Sequence, residues 1–383
     1  MYPLKFEPIF KTIVWGGEKI APYKGVETEQ EHIGESWELS GVKGNESVVA
    51  NGALKGRTIA DLVKEYKGRL VGEHVYANTG DEFPLLIKFI DAQSDLSIQV
   101  HPDDKLAAER HDGSKGKTEM WYVVGASEGA HLMSGLSKKI TPEEYVSKVA
   151  DGTVTEVLCD YPVAPGDVFF IPAGRIHAIG AGCFVAEIQQ TSDITYRIYD
   201  YGRLGLDGKP RELHTELAKD AIDFSVKPDY RTGYQKALNR ESVLVRCPYF
   251  TTSLYDLTEP YEKDLHNIDS FLTVICVEGS GVLRCVEPAP MREKKCFGFT
   301  RRSKSLEKPQ LVEMPVRQGE TVLVPACVEA LEFIPDPACE VASPADCRAV
   351  PAAEMNPGGE CCRNGIGSPA QAPHFKLLTS YIA

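Results

Sequence analysis

The stretch Gly166-Asp167-Val168-Phe169-Phe170-Ile171-Pro172-Ala173-Gly174-Arg175-Ile176-His177-Ala178 constrains this chain more than any other. A β-branched and aromatic run enters a Pro-x-Gly turn, and a lone histidine opens the strand that follows. Upstream lie Gln99-Val100-His101 and, after a loop, Lys117-Thr118-Glu119. Two histidines and a carboxylate, each on a strand-like segment bounded by a turn, are the ligand types of a mononuclear divalent-metal site with open positions.

The rest of the chain supports a mainly β reading. Strand-like segments at Phe83–Ile90, Leu96–Val100, Met120–Val124, Val168–Ile171, Val185–Gln189, Phe271–Val277, Thr321–Val324 and Ala330–Ile334 are short and punctuated by Gly, Pro and Asp. Their spacing predicts an antiparallel sandwich or barrel rather than a parallel α/β sheet. A few helices are expected. Thr58 caps Ile59–Tyr66, Thr141-Pro142-Glu143-Glu144 reads as a helix start, and Leu213–Phe224 has roughly helical apolar spacing.

With 383 residues, of which 43% are hydrophobic and 25% charged, two domains or one large double-layered unit can form. No secretory signal and no apolar run of about 20 residues is visible, so a cytoplasmic protein is expected. A net charge of −13 argues against nucleic acid or an anionic membrane as partner. An anionic substrate would then need a local basic pocket. The eleven cysteines are odd in number and contain no Cys-x-x-Cys, which favours reduced thiols.

Gly166-(five residues)-Pro172 is echoed 153 residues later by Gly319-(five residues)-Pro325, with Cys327 and Ala330 where the first copy has Gly174 and His177. This is either one β-unit present twice, with metal ligands in the first copy alone, or a common strand-to-turn pattern. The expected division is 1–237, a metal-binding catalytic unit, and 238–383, a second metal-less unit. Two stretches of that second unit, about 286–315 and 335–373, read as loops or insertions: the first is basic, the second holds seven prolines and no periodicity.

Gln99 and His101 alternate on one strand face, and Pro102-Asp103-Asp104 ends that strand near a rim. His101, Glu119 and Glu187, each taken alone, read as ordinary strand or turn residues rather than as a site. Lys88, within Leu85–Ile90, is either a buried-face lysine with a cleft role or a strand-edge charge. Arg197 and Arg203, six residues apart among aromatics, offer the planar forks that phosphate favours, and Ser97 shares a strand face with Gln99.

The first stretch is similar to the second motif of the cupin barrels. Together with Leu96–Pro102, Lys117-Thr118-Glu119 and Glu187-Ile188-Gln189-Gln190-Thr191-Ser192-Asp193, it resembles type I phosphomannose isomerase. Trp15-Gly16-Gly17, Gly34-Glu35-Ser36-Trp37, Pro84–Lys88 and Tyr196–Arg203 resemble the short bacterial members. The resemblance runs nearly unbroken from residue 1 to about 285 and returns at Arg317–Ile334 and Lys376–Ile382. It implies two cupin-type antiparallel β-barrels (jelly rolls) with a few added helices. It further implies a metal shell of His101, Glu119, His177 and Gln99 holding one zinc ion per subunit, with Gln99 as a direct or outlying ligand. The implied reaction is interconversion of mannose 6-phosphate and fructose 6-phosphate through a cis-enediol. Lys117, Glu187 and Arg197 are the implied catalytic residues, and Ser97, Arg197, Arg203 and Lys88 the substrate-binding ones. A monomer or homodimer is expected. From the cupin pattern alone an Fe(II) dioxygenase fits the same ligands, as does a sugar-phosphate-binding protein without turnover.

Overall fold

A computed structural model of the protein describes residues 1–287, 291–296, 299–304, 310–337 and 374–383, with the backbone course alone for 291–296 and 299–304. The chain is mainly β, as expected, and its main sheets are antiparallel. Two sheets hold the strands from Ile9–Gly17 to Tyr196–Tyr199, a part of the chain here called the first unit. One has six strands, in the order Ile9–Gly17, Ile33–Ser40, Leu85–Asp91, Cys183–Gln190, Glu119–Ala126 and Val168–Ile171. The other has five: Tyr196–Tyr199, Ile98–Val100, His177–Ile179, His131–Leu136 and Leu158–Pro162.

Burial explains why some strands are easy to see in the sequence. Leu85–Asp91 and Cys183–Gln190 are buried along their whole lengths, because the six-stranded sheet is covered on both faces. Its inner face packs Ile90, Trp121, Val123, Phe169 and Val185 against Leu132 and Ile179 of the other sheet. Its outer face puts Phe89, Met120, Ala186 and Ile188 into a core shared with Leu254, Ile275 and Leu378 of the second unit. Both faces being apolar, the strands read as continuous hydrophobic runs.

The helices cover what remains. Pro142–Ala150 and Thr215–Ala221 close the outside of the five-stranded sheet. The first begins with a capping box in which Thr141 and Glu144 satisfy each other's backbone N–H, and Thr58 caps Ile59–Tyr66 through the Asp61 N–H. Sequence spacing missed the helix Asp104–Arg110 and the strands Ile9–Gly17, Ile33–Ser40, His131–Leu136 and Thr251–Leu257.

The second unit is one sheet of nine strands around its own core of Leu272, Val274, Leu283, Val316, Val322, Phe333 and Leu377. The strand Leu4–Lys5 from the start of the chain joins it, pairing with Thr321–Val324. The expected loop over about 286–315 is corrected in part. Gln310–Arg317 is a strand paired along Leu272–Glu287, and Met291–Cys296 pairs with Phe299–Lys304 as a hairpin. Val312, Met314 and Val316 alternate inward here, but Pro315 within the run reads as a strand breaker. Of the stretch 335–373, residues 338–373 lie outside the described residues.

The echoed motif is a repeat of backbone geometry. Gly166 and Gly319 both adopt positive φ, +91° and +80°, which a side chain would oppose. Gly166 N–H donates to Val123 and Gly319 N–H to Cys276, each at 2.8 Å and each at the same 153-residue offset. Arg175 to Pro172 and Val328 to Pro325 repeat the turn bond at 3.1 and 3.0 Å. At that offset Glu119 corresponds to Leu272 and His177 to Ala330, side chains without a metal-ligating atom.

Candidate active site

The chemistry sits between the two sheets of the first unit, where one polar row faces another. Strand register places Trp37, Lys88, Glu187 and Trp121 side by side across four strands of the six-stranded sheet. Opposite, register aligns Arg197, Gln99 and His177 across three strands of the other sheet. Glu119 opens its strand and His101 directly follows Ile98–Val100, so both stand at the rim of the sandwich.

Among the described residues, His101, Glu119 and His177 bring ligand-type atoms within 4.8 Å of one another. His101 Nδ1 donates to the Ile194 carbonyl and His177 Nδ1 to the Arg175 carbonyl, each at 2.8 Å. With the proton so fixed on Nδ1, each Nε2 carries a lone pair: that of His101 lies 3.1 Å from Lys117 Nζ and 3.5 Å from Glu119, and that of His177 3.2 Å from the Gln99 amide nitrogen and 3.4 Å from Glu119. Burial drives both imidazoles well below the ordinary histidine range, with the Lys117 charge adding to it; His177 falls to about 3. They are therefore neutral, the form that ligates metal.

Glu119 is fully buried, and neither of its oxygens has a hydrogen-bond partner; the 2.6 Å approach of Lys117 is an ion contact outside hydrogen-bonding angles. Lys117 offsets part of the cost of burying this carboxylate, and two neutral imidazoles still turn unprotonated nitrogens toward it, an arrangement of donors that a metal ion would complete. The donor set fits one divalent ion. The Gln99 amide lies 3.2 Å from His177 Nε2, beside the three and within reach of the same ion.

Glu119 and Glu187 are driven in opposite directions. Burial and the nearby Glu187 charge raise Glu119. Burial alone would raise Glu187 too, but Lys117, Lys88 and the Trp121 N–H, which donates at 2.9 Å, outweigh it and hold this carboxyl below the usual range. Lys117 Nζ spans the gap, 2.6 Å from Glu119 and 3.9 Å from Glu187. Lys88 Nζ sits 3.1 Å from Glu187 and 3.8 Å from Glu35, and these acids keep it firmly protonated despite its burial.

A cleft of about 270 Å³ opens onto these groups. Ser97, Gln99, Lys88, Lys117 and Glu187 line it together with Arg197 and Arg211. One cleft with a metal-capable corner, a charged carboxylate–lysine pair and guanidinium groups can bind and rearrange an oxygen-rich anion.

The model of the type I phosphomannose isomerase catalytic domain matches residues 4–127. A mannose-6-phosphate isomerase of Bacillus subtilis is 36% identical over 282 residues, which cover 73% of this chain and 86% of that protein. The chain belongs to the type I phosphomannose isomerase family. A mannose-6-phosphate isomerase of Streptococcus mutans is equally similar, 36% over 282 residues with the same coverage. The crystal structure of the Bacillus subtilis mannose 6-phosphate isomerase superposes with a TM-score of 0.75 at 28% identity, covering both chains fully. A Salmonella typhimurium phosphomannose isomerase, at 16% identity and a TM-score of 0.67, shares the fold.

Of the ten residues singled out from sequence, Ser97, Gln99, Lys88, Lys117, Glu187 and Arg197 line the cleft, and His101, Glu119 and His177 adjoin it through Lys117 and Gln99. Arg203 does not line it. Its Nε and Nη2 donate to Asp200 Oδ1 at 2.9 and 2.7 Å. Four polar cleft residues, Glu35, Asp193, Thr195 and Arg211, lie outside that set. Glu35 accepts from the Trp37 indole at 2.6 Å, and its signal was the alternation of Ile33–Ser40. Arg211 follows a polar hairpin with no periodicity to mark it.

Proposed function

We propose that the protein interconverts mannose 6-phosphate and fructose 6-phosphate in this cleft. The observation that carries the reading is the row Arg197–Gln99–His177. It sets a guanidinium two strand spacings, about 10 Å, from the metal-capable corner, with Lys117 and Glu187 facing the interval. Membership of the family supports an isomerase and does not favour the dioxygenase or pure-binding alternatives.

His101, Glu119 and His177 would hold the cation, with Gln99 beside them, and zinc, one per subunit, is the ion we assign. When bound, it would act as a Lewis acid that polarises and orients sugar oxygens. The chain supplies the rest. Arg197 takes the phosphate, and Ser97, on the same strand region as Gln99, donates its hydroxyl to the sugar. Glu187, held ionised, accepts the proton that leaves C2 and returns it at C1. Lys117, an ammonium between two carboxylates, donates toward the sugar oxygens and stabilises charge developing on the enediol. Lys88 stays with Glu187 and Glu35 at the cleft wall.

The test is a coupled assay for fructose 6-phosphate with purified, metal-loaded protein. Turnover on mannose 6-phosphate, lost on chelation and restored by added zinc, is expected. No turnover by fully metallated, folded protein would overturn the reading.

A further inference from the structure

Arg197 has a free edge. Its Nη1 donates to the Glu212 carbonyl at 3.0 Å, while its Nε is buried and without a hydrogen-bond partner. That leaves the Nε side of the fork for a ligand. Fourteen residues on, the chain closes a small hairpin. Leu204 bridges to Pro210, and Gly205 N–H donates to the Lys209 carbonyl at 2.7 Å. The closure sets Arg203 and Arg211 on either side of Asp200.

Asp200 is buried and takes both. Arg211 Nε donates to Oδ2 at 2.7 Å and Arg211 Nη2 to Oδ1 at 2.5 Å, while Arg203 uses Oδ1. The two arginines then diverge. Arg203 leans over the Tyr201 ring at 5.9 Å, outside the cleft, whereas Arg211 lines the cleft with Arg197 and Ser97. Asp200, Glu212 and the cleft-lining Asp193 are the carboxylates of this corner, and Arg197 and Arg211 are the guanidiniums that line the cleft itself.

We infer that Arg211, aimed by Asp200, is the second arm of a phosphate clamp with Arg197, and that Asp200 is a positioning residue for it. The inference rests on the sugar-phosphate reading above. Asp200 occupies the Nε and Nη2 edge of Arg211, so Arg211 offers Nη1 end-on while Arg197 offers its side-on edge. Two guanidiniums at fixed angles hold a tetrahedral anion in one orientation, which a single lysine charge does not.

Asp200 gives the inference a test of sign. Removing its carboxylate adds one net positive charge, so charge alone predicts tighter anion binding for Asp200→Asn. Positioning predicts weaker binding. The experiment measures inorganic phosphate binding to metal-loaded protein by calorimetry, beside kcat and KM on mannose 6-phosphate. Arg211→Ala should weaken phosphate binding and raise KM by about tenfold or more, with a smaller fall in kcat and unchanged metal content. Arg211→Lys should recover part of this, and Arg203→Ala should cost less than Arg211→Ala. Asp200→Asn should weaken binding, and the double variant should be no worse than Arg211→Ala alone. Unchanged phosphate affinity in Arg211→Ala, or tighter binding in Asp200→Asn, would overturn the inference. The calorimetry needs no turnover, so failure of the isomerase reading shows separately, as phosphate binding through Arg211 without product.

Discussion

Glu187 and Lys88 face one another directly across adjacent strands, with Nζ 3.1 Å from Oε1. Their row continues into Trp121, whose N–H donates to the other Glu187 oxygen, and into Trp37, over whose ring Lys88 lies at 5.2 Å. A buried charge pair has to be surrounded to persist. Here two indoles, Glu35 and Lys117 surround it, and the result is a carboxylate kept ionised at the wall of a cleft.

Removing Lys88 should therefore cost stability as well as function. Lys88→Met leaves Glu187 and Glu35 buried with less compensating charge, a loss of about 3–5 kcal/mol for a broken buried pair. Urea unfolding followed by tryptophan fluorescence should show a lower midpoint, and turnover should fall with it. A midpoint equal to wild type would mean the row does not stabilise the sandwich.

His177→Ala deletes an imidazole whose Nε2 stands 3.4 Å from Glu119 and which no neighbouring side chain replaces. Metal content by mass spectrometry should drop to a small fraction of one ion per chain, with turnover lost in proportion. Retention of full metal and full rate would remove His177 from the ligand set.

The backbone around 338–373 leads to a deletion experiment. Asp336 N–H donates to the Ser280 carbonyl, and Phe375 pairs with Gly279, so residues on either side of that segment lie against neighbouring positions of one strand. A short polar turn of about five residues joining 337 to 374 should close the gap. The shortened protein should fold, bind metal and turn over within about twofold of the full chain. Insoluble product or loss of metal would show that the segment is needed by the fold.

Asp200 also sets a pH dependence. Burial would raise its carboxyl, but the hydrogen bonds from Arg211 and Arg203 outweigh that and hold it below the usual range. A group with a depressed folded-state value stabilises above its unfolded value and loses that contribution as the pH falls through the folded one. Asp200→Asn should thus be less stable than wild type at pH 6, with the gap narrowing below about pH 4. Urea midpoints at pH 6 and pH 3 measure it; a gap of constant size would show that the ion contacts carry none of it.

What the sequence revealed of the site follows from local rules. The Pro172-x-Gly174 turn and the Gly166 turn write His177 into a short readable motif, and Gln99–His101 sits on a strand whose end Pro102 marks. Lys88 was visible as a charge inside Leu85–Asp91, whose register pairs it with Glu187. Arg203 was placed at the phosphate because it is near Arg197 in sequence. What decides between Arg203 and Arg211 is the shape of the hairpin from 203 to 211 and the acceptor at Asp200, neither of which has a periodicity. The strand Gln310–Arg317 escapes notice although Val312, Met314 and Val316 alternate inward, because Pro315 inside it reads as the end of a loop rather than as part of a strand.

Leu4 is paired with Leu323, in a sheet whose other strands lie at the far end of the chain. At about 5–20 residues per second, a ribosome needs roughly 15–60 s after making the first strand to deliver its partner. For that interval Leu4 and Phe6, both buried in the finished protein, wait beside a nascent first unit whose six-stranded sheet lacks its outer cover. The apolar face of Phe89, Met120 and Ile188 gains its cover in steps, from Leu244, Phe250, Leu254 and Ile275 and finally from Leu378 on Phe375–Tyr381. Synthesis of the strands from Glu241 onward, rather than completion of the sheets that hold the site, is what covers this apolar face.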